Sequence, residues 1–327
     1  MTEDLHMHPR RRVVENDDKA EPWLSVVGKS AMTVVMHPFD YAKTLMQIGF
    51  EPLPPVPAHT IFRRPVLKLP GVFAYMGHLR GVDGFFGLYR GLGASLTGRI
   101  VYDSCFVFVT MRLPPVASFD EDQQLLVGDC PLTSDGQKIV NFIKRTAQES
   151  VAYAAAITVA QPFRVITIRM MAEFVGRETK YNSVLGSFVE IYREEGLSGL
   201  WSGLVPRIYG EILRIWLAAT TAFFINTYIV EDPTVRSYIA TMSSFLASSL
   251  TYPFALVSTV VSVSGAPIVA GRPPHVAIYS NWTQCYTHLK KNDQLKRGSS
   301  LFWRYYNPVE VSRGIAYKKP VDFVNLD

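Results

Sequence analysis

The chain has 327 residues, of which 19% are charged and 48% apolar, with a formal net charge of +5 and a positive mean hydropathy. Few charges and a modest apolar excess disfavour an ordinary soluble protein and fit membrane segments that carry polar groups. The basic balance suits an anionic membrane surface without calling for nucleic acid, and Cys105, Cys130 and Cys285 lack the spacing of a metal site or the density of a disulfide scaffold.

Residues 1–22 hold six acids and four bases. This is neither a secretory signal nor an acid-poor mitochondrial presequence, and it reads as a disordered polar tail. Any targeting signal is then internal. Five stretches follow that can span about 30 Å of hydrocarbon, which needs roughly 20 helical residues: 23–49, 92–113, 148–172, 204–230 and 237–265. The fifth is free of charge between Arg236 and Arg272. The first holds Lys29, Asp40 and Lys43, the second Arg99 and Asp103, the third Arg164 and Arg169, the fourth Arg207, Glu211 and Arg214. A soluble helical bundle also mixes charged and apolar faces. Against it stand the small and hydroxyl side chains of 150–160 and 240–252, which suit close helix packing in lipid.

Each odd-numbered segment contains a proline followed by phenylalanine: "HPFDYAK" (37–43), "QPFRVIT" (161–167) and "YPFALVS" (252–258). Helix kinks are expected at Pro38, Pro162 and Pro253. After each comes a short amphipathic pattern and then "GLYRGL" (87–92), "GLWSGL" (199–204) or "SLFWRY" (300–305). Three related units of about 100 residues fill the chain, at about 23–116, 139–230 and 237–304, between the polar tail and a polar C-terminal tail at 305–327.

Three repeats of this construction resemble the mitochondrial carrier family. The resemblance covers 23–304 and implies an all-α membrane protein with threefold repeats. In that family P-x-[DE]-x-x-[KR] ends each odd helix, and the six charges close one side of a pore. Only the first copy is intact here, in Pro38, Asp40 and Lys43. The second has Arg164 and Thr167 at the charged positions and the third has Ala255 and Ser258, so Asp40 and Lys43 lack the partners that neighbouring repeats would supply. Where a sixth helix is due, 305–327 contains two prolines, Glu310, Arg313, Lys318, Lys319 and Asp322. A charge at the bilayer centre costs about 2.5–3.5 kcal/mol on insertion scales, so this segment is not expected to span. Five transmembrane helices remain. "IGFEPLPP" (48–55), "LPGVFAY" (69–75), "GRETKY" (176–181), "IYREEG" (191–196), "GLVPR" (203–207) and "LTYPFALVS" (250–258) look like the mitochondrial carrier homolog branch. That resemblance implies the mitochondrial outer membrane, insertion of α-helical and especially tail-anchored proteins, lipid scrambling, and docking of pro-apoptotic proteins.

The charges have helical spacing. Asp40 and Lys43 are i,i+3, Arg99 and Asp103 are i,i+4, and Arg207, Glu211 and Arg214 form one line with Glu211 within reach of both arginines. Lys29 and Lys43 share a face. With Arg164, these nine residues are the candidate client path: one wet stripe per helix turned from lipid, with self-neutralising structural pairs as the alternative. Five helices with an empty sixth place make a hydrophilic groove open sideways to lipid. A polar segment can cross in such a groove while the adjoining apolar helix moves into the bilayer, and head groups can follow the same path. Loops after odd segments plus the C-terminal tail carry 17 Lys and Arg against 8 on the other side, which places the Asp40/Lys43 end in the cytosol. Expected partners are tail-anchored and other α-helical outer-membrane proteins, phospholipids and pro-apoptotic proteins. "GKS" at 28–30 is no P-loop, because Trp23 stands where its first glycine belongs. The sequence predicts no metal, no cofactor, no nucleic acid and no enzymatic activity. A solute carrier and a passive docking receptor remain the competing readings.

Overall fold

The computed structural model describes residues 22–59, 65–114, 135–230 and 232–305. The polar tails expected at 1–22 and 305–327 lie outside the described residues, except for Pro22 and Tyr305.

In each repeat a long helix runs through its proline to a connector and, in the first two, into a second long helix. The first repeat comprises α1 (Pro22–Ile48), strands β1 (Val56–His59) and β2 (Pro65–Leu69), α2 (Val72–Gly87) and α3 (Leu92–Arg112). The second comprises α4 (Asp135–Ala172), α5 (Val184–Leu200) and α6 (Leu204–Tyr228). The third comprises α7 (Pro233–Val263), α8 (Trp282–Lys291) and β3 (Arg304–Tyr305). The expected all-α fold is thus corrected by a small antiparallel sheet in the order β1-β2-β3, in which the third repeat pairs with the first.

Pro38, Pro162 and Pro253 all sit inside helices that continue past them. A proline in a helix interior frees the carbonyl four residues back. For Pro162 that group belongs to Thr158, and the Trp201 indole N–H donates to it at 3.0 Å. The second glycine-aromatic motif therefore satisfies the bond that the second proline breaks.

Among the described residues four helices are long and apolar enough to cross a membrane: α3, α4 with its following turn, α6, and α7 from Tyr238 onward. At 27 residues α1 has the length, but with Lys29, Asp40 and Lys43 it is not among the four. The third segment is longer than 148–172, since α4 has 38 residues. At 1.5 Å per residue it is about 57 Å long, so its Lys- and Arg-bearing first turns extend past the apolar run that marked the segment in the sequence.

The three proline helices converge toward their C-terminal ends. Tyr41, Leu45 and Met46 of α1, Val165 and Ile166 of α4, and Leu256, Val257 and Val260 of α7 share one buried core there. The connectors cover that end from below, through Tyr75 and Leu79 of α2, Ile191 of α5, and Cys285 and Leu289 of α8.

Candidate functional site

The residue before each proline clamps the turn that follows its connector. His37 Nε2 donates to the Arg90 carbonyl at 2.9 Å, and Gln161 Nε2 donates to the Ser202 carbonyl at 2.8 Å. Arg90 and Ser202 are equivalent in the two motifs, each directly before a glycine. In the third repeat Tyr252 donates to the Arg297 carbonyl at 2.6 Å and accepts from Gln47 of α1. Gly91 and Gly203 then start α3 and α6 with φ of 81° and 72°, values that favour glycine. Each glycine lies against the next repeat, five residues past its proline, Gly91 against Thr167 and Gly203 against Ser258. Two turns later, Gly98 and Gly210 admit Phe163 and Phe254, the phenylalanines that follow Pro162 and Pro253; a methyl on either glycine would stand 2.8 Å or 2.6 Å from the phenylalanine Cβ.

Above this floor lie the polar side chains. Arg164 Nη2 donates to Thr259 of α7 at 3.3 Å, while its buried Nε has no partner among the described residues. Asp40 and Glu211 are its acidic electrostatic neighbours. Arg207 donates to Gln161 Oε1 at 2.8 Å. Glu211 is ion-paired with Arg214, which also reaches Ser244 of α7 at 3.5 Å. Arg99 and Asp103 pair at 3.7 Å.

Three expectations change. Glu211 does not bridge both arginines: it pairs with Arg214, and Gln161 takes Arg207. Asp40 and Lys43 are not an ion pair among the described residues. Asp40 is exposed, and the Lys43 ammonium sits 6.0 Å from the centre of the Tyr252 ring, a cation–π distance. Asp40 is also not abandoned by the second repeat, since Arg164 adds to the positive field of Lys43 around it. Lys29 lies on α1, but its side chain falls outside the described residues, so its shared face with Lys43 is not tested.

The proline-bearing end holds ion pairs that the spacing of charges along single helices did not show. Fully buried Arg169 makes a bidentate pair with Glu195, at 2.6 and 2.8 Å, and also donates to the Ser262 carbonyl at 3.0 Å. Arg90 pairs with buried Glu173 at 3.0 Å, and Arg304 pairs with Glu51. Burial pushes the Glu51 carboxyl above its ordinary range, opposed by Arg304. One repeated signal pointed to this layer, an acid four residues before each of the first two motifs, Asp83 and Glu195.

At the opposite end α4, α6 and α7 surround a cavity of about 540 Å³. Tyr153 and Arg214 stand at its inner limit and Lys138 and Asn226 at its outer one.

Proline-helix repeats clamped at one end, with cations and carboxylates inside the bundle and a cavity at the other end, define a class of membrane protein: the threefold-repeat carrier-like bundles. The model of the mitochondrial carrier protein family matches residues 22–113 and 139–232. Mitochondrial carrier homolog 2 of Homo sapiens is 38% identical over 284 residues, covering 84% of this chain and 91% of that one. Mitochondrial carrier homolog 1 of Mus musculus is 34% identical over 303 residues, covering 86% and 76%. Mitochondrial uncoupling protein 3 of Arabidopsis thaliana is 24% identical over 298 residues, covering 87% and 88%. The chain belongs to the mitochondrial carrier family.

Proposed function

We propose that this protein is a mitochondrial outer-membrane insertase for α-helical, especially tail-anchored, proteins, with α1 as a fifth spanning helix beside the four apolar ones. The observation that carries the reading is the seam between α1 and α7. Their contacts through Gln47, Lys43 and Tyr252 lie at the proline-bearing end. Nearer the other end Met32 and Val35 of α1, and Met242, Phe245 and Leu246 of α7, are exposed. Inside, Arg164, Arg207, Glu211 and Arg214 offer hydrogen bonds and charge to a polar segment. The client's apolar helix leaves through the seam, and burial of each large apolar side chain contributes about 1.5–3 kcal/mol. A span of some 20 residues then needs no nucleotide to drive it. Phospholipid head groups follow the same polar line, which makes scrambling the companion activity. The excess of basic residues on the proline-bearing side orients that end to the cytosol, where clients arrive and where pro-apoptotic proteins would dock.

The test is reconstitution of the purified protein into liposomes, with tail-anchored insertion and lipid flipping assayed side by side. Grafting an apolar sixth helix after Tyr305 should suppress both activities at unchanged protein level. Unaltered insertion by the graft overturns the lateral-opening mechanism. The cavity favours a second reading, transport of a small solute, which predicts solute exchange by the same liposomes.

A further inference from the structure

The cavity between α4, α6 and α7 meets the client path at Arg214, and the rest of its lining is not used by that path. By the rise of the helix, its lining from Lys138 to Tyr153 extends about 22 Å along α4. Its volume of about 540 Å³ falls within the roughly 300–1,000 Å³ of small-ligand sites. The middle of the wall is apolar and built of small residues, Ala218, Ala219 and Ala222 of α6, and the room exists because methyl groups stand where larger side chains would fill it. Toward the outer end, two turns apart on α4, are Lys138 and Arg145, and Arg145 makes no ion pair among the described residues. Glu149 is the one carboxylate in the lining. At the same end the buried Asn226 Oδ1 and Thr227 Oγ1 have no hydrogen-bond partner among the described residues. No described α1 residue lines the cavity, which sets it apart from the α1–α7 seam.

We propose that this cavity binds an anionic amphiphile, with an acyl chain along the alanine wall and the anionic head group at Arg145 and Lys138. An apolar slot with cations at its mouth selects this chemistry over either half alone. A purely polar anion would leave the alanine wall wet, and a zwitterionic head group would bring its own cation against Arg145. The head group is a carboxylate or a phosphate, and the two are told apart by competition. The site stands without the insertase reading, since binding is measured with no client present.

The experiment uses the full chain in phosphatidylcholine nanodiscs with a diazirine-bearing fatty acid, and adducts are mapped by mass spectrometry. Adducts are expected on 138–153 and 214–227. Oleate should displace the probe if the head group is a carboxylate, and phosphatidic acid should do so if it is a phosphate. Added phosphatidylcholine and inorganic phosphate should not. Arg145→Glu should lower labelling at least fivefold and Arg145→Lys less than twofold. Ala222→Trp should abolish it by filling the slot. Because Ala222→Trp can disturb packing, the exposed Arg145 pair decides the matter, with unfolding midpoints within a degree or two of the parent. Adducts spread evenly over lipid-facing helices, displacement by phosphatidylcholine as effective as by the anions, full displacement by inorganic phosphate, or an indifferent Arg145→Glu would each overturn the site. Loss of liposome insertion with labelling intact would count against the insertase reading alone.

Discussion

Replacing Gly203 by alanine probes the contact that seats each even helix on the next proline helix. At φ 72° an L-residue costs about 1–2 kcal/mol in backbone strain. The new methyl would also press on the Ser258 carbonyl, which the backbone of a packed helix holds in place, and stand 2.7 Å from Ser262 Oγ. Overpacking of that kind adds about 1–3 kcal/mol, for a total of about 2–5 kcal/mol. Gly91 is the internal control. Its φ of 81° imposes the same backbone cost, but a methyl there first meets the Thr167 carbonyl at 3.3 Å and Met170 Cβ at 3.4 Å. The difference between the two variants is the overpacking alone, and at roughly 2 °C per kcal/mol for a large chain it is about 2–6 °C. The assay is the unfolding midpoint of each detergent-purified variant, followed by intrinsic fluorescence. Equal midpoints, or a greater loss for Gly91→Ala, would refute the idea that close approach at Gly203 holds α6 to α7.

Glu211→Arg would leave Arg214 without its ion-pair partner and set three cations in line on α6, so liposome insertion is expected to fall at least tenfold at normal protein level. The double variant Glu211→Arg with Arg214→Glu restores an i,i+3 pair and should recover part of the activity; a fully active single variant would remove Glu211 from the client path. On α8, burial lowers the His288 imidazole below its ordinary 6.5, helped by Arg297 and Lys291, while Tyr279 Oη and Asn292 Nδ2 engage its two ring nitrogens at 2.7 and 3.1 Å. A depressed histidine favours the folded state when neutral, so this stability is whole above about pH 6.5 and is lost as the pH falls toward the lowered folded value. Hydrogen-exchange protection factors over 279–292, which remove the intrinsic pH dependence of exchange, should therefore fall below about pH 6.5 in the parent and not in His288→Gln; parallel profiles would exclude His288 as the cause.

What was legible in the sequence follows the range of the interactions involved. Pro38, Pro162 and Pro253, and the glycines at 91 and 203, act through backbone geometry within a few residues, so their spacing alone showed the repeats. The start of α4 was not visible, because Lys138, Lys144 and Arg145 break the apolar run while keeping the helix. The hairpin 56–69 was hidden because strands this short, flanked by prolines, read as a loop. Pairings inside the bundle were legible only as possibilities on one helix face. Arg207 lies one turn from Glu211, yet Gln161 from another helix takes it. The Arg169–Glu195 pair bridges a gap that no local spacing rule covers; only the recurrence of an acid before the first two motifs pointed there.

The third repeat shows how one residue can change the course of a repeated chain. In the first two motifs a glycine with positive φ lets the connector turn directly into an even helix lying along the next proline helix. The residue in register with Gly91 and Gly203 is Arg304. A side chain there makes the left-handed turn costly, and the backbone is extended instead. Arg304 pairs with Leu69 of β2 in the sheet, donates to the Pro70 carbonyl at 3.1 Å and is ion-paired with Glu51. Arg297 adds bonds to the Gln47 carbonyl at 2.6 and 2.9 Å. The third repeat is thereby tied to the first at the proline-bearing end, by a strand and two arginines rather than by a glycine-seated helix. The turn that launches α3 and α6 is absent from the third motif because its residue chemistry selects a strand, and the asymmetry required by the proposed lateral path begins at that position.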